Sequence, residues 1–311
     1  MKVLVLTSPA GVENRPDTAD TLVQAQEIAS CLHLLGHEIL STPYPWGHDF
    51  ESFIAFAPEL VFNLVEAVPE GPAQIHTITR FLDQRRVSYT GAGTEALRLL
   101  GNKLAMKARL RDAGLRVAPG FGDAAPDARL IVKSATEHAS LGIGPDNVVV
   151  GTGAALLKIA ARQREHGGDW FAEEYIDGRE FNVSILDGEL LPIAEIVFTA
   201  HGADQPRIVG YAEKWDTGSA AYASTPRVFP ARDDPLFSEL ERMSLAAWDL
   251  FALTGYARVD FRVDRAGRPY ILEVNANPCL ASDAGFCAAA AQRGLSQADV
   301  VKRLLQAALS D

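Results

Sequence analysis

Cysteine is scarce: the 311 residues hold three, Cys31, Cys279 and Cys287. An odd number at such wide spacing fits neither a disulfide framework nor a paired-thiolate zinc site, so these read as reduced, mainly structural thiols. Basic charge is short too. Against 40 Asp and Glu stand 29 Lys and Arg, a formal net charge of −11. Such a surface repels phosphate backbones and anionic lipid at long range, which speaks against nucleic-acid and membrane partners and leaves only local basic sites open. Long apolar runs are missing as well. Val3 to Leu6 and Val148 to Val150 fall far below the roughly 20 residues that span a bilayer. The opening MKVLVLTSPAG stops at Ser8, Pro9 and Gly11, unlike a secretory leader, so a cytoplasmic protein is expected. The histidines show no metal-ligand spacing, and the chain has no internal repeat or low-complexity tract.

What is present is ordinary globular composition, 48% hydrophobic and 22% charged, at a length that suggests about two domains and leaves one or three open. Along the first third, apolar strands alternate with helical segments. Val3 to Leu6 precede a helix with Leu22, Ala25, Ala29 and Leu32 at spacings of three and four, stopped at Gly36. Strands near Glu38 to Ser41 and Leu60 to Phe62, a helix opened by Pro72 and running toward Arg85, and a strand over Val87 to Tyr89 complete a parallel α/β layer pattern. From Thr94 the pattern changes to a smaller α+β unit: one helix through Lys103 and Lys107, a strand RLIVK, a helix around Ala154 to Glu165 and a strand near Trp170 to Tyr175. The last part opens on strands Glu180 to Leu186 and Glu189 to Ile196, joined by an Asp187-Gly188 turn. A helix from about Pro235 to Leu253, two strands and a terminal helix over Ser296 to Leu309 follow. Pattern alone places boundaries near residues 93 and 176, giving units 1–93, 94–176 and 177–311.

The sharpest chemistry lies in ARVDFRVDRAGRPYILEV. Val259, Phe261 and Val263 share one strand face, and Arg258, Asp260 and Arg262 the other. With a four-residue loop over Arg265 to Arg268, Asp264 pairs with Pro269, Asp260 faces Glu273, and Arg258 faces Asn275. Two opposed carboxylates destabilise a hairpin unless a cation or solvent relieves them. Asp260, Glu273 and Asn275 are hard oxygen ligands suited to magnesium or manganese. The plainer alternative is a solvated polar face in which Arg258 and Arg262 balance Asp260 and Glu273.

Lys133 ends an apolar strand, where an ammonium needs a partner such as phosphate. WFAEEYIDGREFN reads as a crossover between two units and hence as a cleft. Adenine there would meet main chain near Tyr175 and Ile176, with Glu173 accepting from its amino group and Glu180 from ribose hydroxyls.

The segments YTGAGTEALRLLGNKLAMKARLRDAGL, LIVKSATEHASLGIG, EEYIDGREFNVSIL, GYAEKWD and GYARVDFRVDRAGRPYILEVNANP, in this order, resemble the ATP-grasp superfamily. The resemblance is to D-alanine:D-alanine ligase-like proteins, over nearly the whole chain. It implies an α/β and α+β, three-domain ATP-grasp architecture with a Rossmann-like N-terminal domain, ATP between the second and third domains, and a homodimer. It further implies that Lys103 and Lys133 contact phosphates, Glu173 adenine and Glu180 ribose, and that Lys214 meets the terminal phosphate. Arg258 would steady the reacting group, and Asp260, Glu273 and Asn275 would hold magnesium ions. The implied reaction joins a carboxylate to an amine through an acyl phosphate, under a lid made of Thr136 to Gly144 and Thr199 to Pro226.

The sequence departs from the family at several points. Glu66 in VFNLVEAVPEG stands where wall-building D-alanine ligases usually carry histidine. Ala139-Ser140 replaces a serine pair, Trp215 a tyrosine, and Asp283-Ala284 in CLASDAGF a serine and histidine region that receives the second D-alanine carboxylate. The family's substrate-facing acid of the first loop falls among Glu13, Arg15 and Asp17. An acid at Asp283 repels a carboxylate, so the expectation is a ligase whose amino-acid substrates, amines among them, differ from two D-alanines. Alternatives are a D-alanine:D-alanine ligase proper, a non-catalytic nucleotide-binding module, and an oxidoreductase on the strength of the G-x-G-x-x-A spacing at Gly91, Gly93 and Ala96.

Overall fold

The computed structural model describes residues 1–8, 16–44, 55–137, 142–200, 205–210, 218–231 and 234–310, without the side chains of 16–20, 72 and 221. Strand β1 (Lys2–Thr7) has Val3 to Leu6 fully buried. Helix α1 (Pro16–Leu34) leads to β2 (Glu38–Pro43), parallel to β1 on one side, while β3 (Leu60–Leu64) is parallel on the other. Consecutive apolar residues are buried here because parallel strands are covered on both faces. The expected apolar stripe of α1 is shifted. Ala25, Ile28, Cys31 and Leu32 are buried, but Leu22 is exposed and polar Gln24 is buried in its place.

A 3₁₀ turn at Pro72–Gln74 precedes α2 (His76–Arg85). The strand expected over Val87 to Tyr89 shrinks to a single parallel bridge between Val61 and Tyr89, because Gly91 at φ +91° turns the chain away two residues later. The single helix expected from Thr94 is two, α3 (Thr94–Leu100) and α4 (Lys103–Asp112). Asn102 makes the break: its side chain accepts from the Leu104 and Ala105 amides at 3.0 and 3.1 Å and caps the second helix. Strands β4 (Arg129–Ser134) and β5 (Val148–Val150), helix α5 (Thr152–His166) and strand β6 (Trp170–Glu174) follow, the strands forming an antiparallel sheet of order β5-β4-β6.

Strand β7 (Gly178–Leu186) opens the largest sheet. The strand expected over Glu189 to Ile196 is broken into β8 (Glu189–Leu190) and β9 (Ala194–Ile196), with Pro192, which has no ladder donor, between them. Next come α6 (Ala220–Ala223), β10 (Arg227–Val228), α7 (Leu236–Leu250), β11 (Tyr256–Asp264) and β12 (Pro269–Ala276). The order is β10-β9-β7-β11-β12, with β8 on β7. Helix α8 (Gly285–Gln292) has no counterpart in the sequence pattern, because its alanine run shows no amphipathic period. Helix α9 (Gln297–Ser310) closes the chain.

The cores knit these pieces together. Ala96, Leu100, Met106 and Leu110 of α3 and α4 pack with Phe181, Val259, Phe261 and Ile271 of the six-stranded sheet. Val300, Val301, Leu304 and Leu305 of α9 pack with Val3, Val5, Leu60 and Phe62 of the first sheet. Among the described residues, no helix is long and apolar enough to cross a membrane.

Candidate active site

The β11–β12 hairpin places Arg258 opposite Asn275 and Asp260 opposite Glu273, the expected pairs. Its turn half differs from expectation: Val263, not Asp264, faces Pro269, and the register shifts by one between Asp260 and Phe261. The physical cause is the turn. The Asp264 carboxylate accepts from the Ala266 and Arg268 amides, both at 2.9 Å, and the Asp264 amide donates to the Arg268 carbonyl at 3.0 Å, so Asp264 meets Arg268 rather than Pro269. A bulge at Leu272 then restores the register, and Leu272 and Glu273 both line the same cavity.

The two carboxylates are neutralised from within the chain. Arg258 grips Asp260 through both oxygens at 2.6 and 2.8 Å, and Asn182 and Asn275 donate to it at 2.8 and 2.9 Å. Lys103 Nζ lies 3.0 Å from Glu273 Oε1 and also donates to the Glu137 carbonyl. Electrostatic balance here therefore does not require a metal, and among the described residues no group of three His, Cys, Asp or Glu is placed to hold one. As hard oxygen donors beside two lysines, Asp260, Glu273 and Asn275 still suit a divalent ion that would take over from these cations. Burial works against the charge on Arg258, but the Asp260 carboxylate, with Glu273 and Glu180 adding to it, holds the guanidinium above its ordinary pKa.

Between the three-stranded and six-stranded sheets lies a cavity of about 110 Å³. Ile131, Ile143, Ile208 and Leu272 give it apolar walls, while Lys103, Lys133, Glu173, Glu180, Asp260 and Glu273 converge on it. Glu173 is 1% exposed. Its Oε1 lies 2.8 Å from Lys133 Nζ and its Oε2 2.9 Å from Lys107 Nζ. Burial alone would raise the Glu173 pKa, yet the two ammonium groups bring it below its ordinary value. Lys107 is also lowered: burial comes first, and neighbouring Lys133 adds to it against the pull of Glu173. Tyr175 and Ile176 form the linker from β6 to β7 and line the same cavity.

Residues 127–306, more than half the chain, match the family model for the D-ala D-ala ligase C-terminus. A D-alanine–D-alanine ligase of Anaeromyxobacter sp. is 32% identical over 244 residues, 75% of each chain. An uncharacterized protein of Sinorhizobium fredii, y4sG, is 28% identical over 303 residues, 91% of this chain and 87% of that one. The chain belongs to the D-alanine–D-alanine ligase family. Two solved D-alanine–D-alanine ligase structures from Bacillus anthracis, one complexed with ATP, share its fold over 100% of this chain and 98% of theirs, at TM-scores of 0.78 and 0.80 with 19% and 21% identity. The architecture is thus ATP-grasp, and the enzyme class of this ligase-family chain is that of ATP-dependent C–N bond formation.

In this ligase-family chain, not every expected site residue falls at the cavity. Lys214, Trp215, Glu13, Arg15 and the Ala139-Ser140 pair lie outside the described residues, as do the Asp17 side chain and much of both lid segments. Glu66 and the exposed Asp283 belong to a different region. Glu66 Oε1 accepts from Gln24 Nε2 at 3.1 Å, and Gln24 Oε1 accepts from the Leu280 amide, three residues before Asp283. Sequence reasoning missed Lys107, Asn182, Arg262 and Gln24 as parts of the site and its surroundings. Lys107 and Arg262 carried local signals: Lys107 lies one helical turn beyond Lys103 and so shares its face, and Arg262 shares the strand face of Asp260, where it reads only as a counter-charge to Asp260 and Glu273 rather than as the partner of Glu180.

Proposed function

We propose that this chain uses ATP to join a carboxylate to an amine through an acyl phosphate, with amino-acid substrates that differ from two D-alanines. The observation that carries this reading is the convergence of Lys103, Lys133, Asp260 and Glu273 on one cavity at the junction of two sheets. Lys103 and Lys133 would hold phosphate oxygens, and Glu173 and the Tyr175–Ile176 main chain the adenine. Glu180 would hold the ribose, and Lys214 the terminal phosphate. Asp260, Glu273 and Asn275 would hold magnesium, with manganese as the fitting substitute; when bound it supplies positive charge to the phosphoryl oxygens. The substrate carboxylate oxygen attacks the γ-phosphorus and ADP leaves. The amine nitrogen then attacks the acyl carbon, the carbon–oxygen bond to phosphate breaks, and the amine gives up a proton. Arg258 stabilises the charge that develops on the reacting oxygens.

Acids at Glu66 and Asp283 favour a substrate bearing a cationic or amine group near one of them, and Glu13 would be a further acid for it. The three sheets draw their strands from residues 2–64, 129–174 and 178–276, which supports the division into 1–93, 94–176 and 177–311. Homodimerisation is part of the same proposal.

The test is phosphate release from ATP across an amino-acid library, with and without chelator. Release with at least one pair other than two D-alanines is expected. Asp260→Ala with Glu273→Ala should lower it on the order of 10²–10³-fold or more. Turnover unchanged in that double variant, or a rate with D-alanine alone equal to that of a wall-building ligase, refutes the respective part.

A further inference from the structure

Arg262 is a cation of this site that neither the phosphate nor the metal assignment uses. It is 4% exposed, and it spreads its guanidinium over three groups. Nε donates to the Ile176 carbonyl at 3.0 Å, Nη1 to Glu180 Oε2 at 3.1 Å, and Nη2 to the Tyr175 hydroxyl at 3.4 Å. The rings of Tyr175 and Phe198 lie 5.7 and 5.5 Å from it. Arg262 and Glu180 are direct cross-strand partners on β11 and β7, and both line the cavity. A buried arginine is costly unless its donors are satisfied, and here they are satisfied by the linker and by the one acid assigned to the ribose.

We propose that Arg262 is a positioning residue that fixes the Glu180 carboxylate toward the ribose hydroxyls of the nucleotide, so that the site selects ribonucleotides over deoxyribonucleotides. The proposal rests on the ATP reading above. A carboxylate accepts up to about four hydrogen bonds, so the bond from Arg262 restricts the Glu180 rotamer and leaves capacity for hydroxyls. A group held in this way disfavours a ligand lacking the hydroxyl, because its own polar atoms are then left without the match the hydroxyl supplies.

Calorimetric titration of the full chain with ATP, 2′-deoxy-ATP and 3′-deoxy-ATP in magnesium tests this without an acceptor substrate. The wild type should bind at least one deoxy analogue about 10-fold or more weakly than ATP. Glu180→Gln and Arg262→Met should each bring the three nucleotides within about 3-fold of one another, and the double variant should discriminate no less than either. Arg262→Lys, a point charge without the planar fork, should lose at least about 3-fold of the discrimination; with Glu180→Gln it carries the test if Arg262→Met does not fold. Full discrimination in Arg262→Met, or in Arg262→Lys, with affinity for all three nucleotides lowered alike, makes Arg262 a structural residue only and overturns the proposal. Wild-type binding of ATP without discrimination overturns it while sparing the ATP reading. No ATP binding at all overturns both.

Discussion

Glu173 divides its two oxygens between Lys133 and Lys107, and the result is one negative group under two positive ones. The surplus positive charge lies beneath a cavity that Lys133 and Lys103 also line, which is where a polyphosphate would complete the balance. Glu173→Gln leaves two ammonium groups in a buried place without their carboxylate. Breaking a buried ion pair from one side costs about 3–5 kcal/mol, so a lower urea midpoint is expected, together with weaker ATP binding. The acid side follows by sign. A carboxyl whose folded pKa lies below its unfolded value of about 4.3 adds stability that is complete above that value and fades as pH falls through the lower folded one. The variant should lack that part of the acid-induced loss, read as a flatter profile of urea midpoint against pH. An equally steep profile in wild type and variant would show that Glu173 is not the titrating group.

At the scale of elements, the glycines of YTGAG have a structural explanation different from a dinucleotide fingerprint. Gly91 adopts φ +91°, and a Cβ there would collide with the Asn277 side-chain amide. A Cβ on Gly255 would come within 2.9 Å of the Gly91 Cα. Asn277 Oδ1 accepts from the Ala92 amide at 2.9 Å, and Thr254 donates to the Gly91 carbonyl at 2.8 Å. The glycine thus lets the segment leaving the first sheet lie directly on the strands of the third. Gly91→Ala should destabilise by about 1–3 kcal/mol through strain at that φ and displacement of Asn277, seen as a lower midpoint of thermal unfolding; an unchanged midpoint would mean the junction relaxes freely. The alternation of β11 was legible because period two is local, but the pairing of Asp260 with Glu273 is expected from Asp264 opposite Pro269 and holds because the bulge at Leu272 offsets the different turn. The bulge itself was not legible, since it depends on how Asp264 closes the turn, and the packing of Gly91 on Gly255 joins positions far apart in sequence.

Across the whole molecule, the least legible feature is a polar seam between α1 and the segment after β12. Glu27 accepts from the Ser282 amide at 2.7 Å, the Ser282 hydroxyl at 2.8 Å and Gln297 at 2.9 Å, while Gln297 also donates to the Leu280 carbonyl at 2.8 Å. Gln24, 1% exposed, takes the Leu280 amide on one side and gives to Glu66 on the other. A backbone N–H can only donate and a carboxylate only accept, so the amide orientation is fixed and neither Glu nor a hydrocarbon can replace it. No periodicity announces such a residue: on a helical wheel Leu22 looks like the buried position, and only the distant Leu280 amide explains why Gln24 takes that place. The seam also unites Glu66 with the Asp283 segment, the two acids assigned to an amine-bearing substrate. Gln24→Leu leaves the Leu280 amide unmatched at a cost of about 1–3 kcal/mol and frees the two acids from one another. Because neither Gln24 nor Leu280 lines the nucleotide cavity, the KM for the amine substrate should rise while the Kd for ATP stays within about 2-fold, a change below roughly 0.5 kcal/mol. A loss of ATP affinity equal to the rise in KM would instead make the seam a support of the whole fold, with no particular bearing on the acceptor.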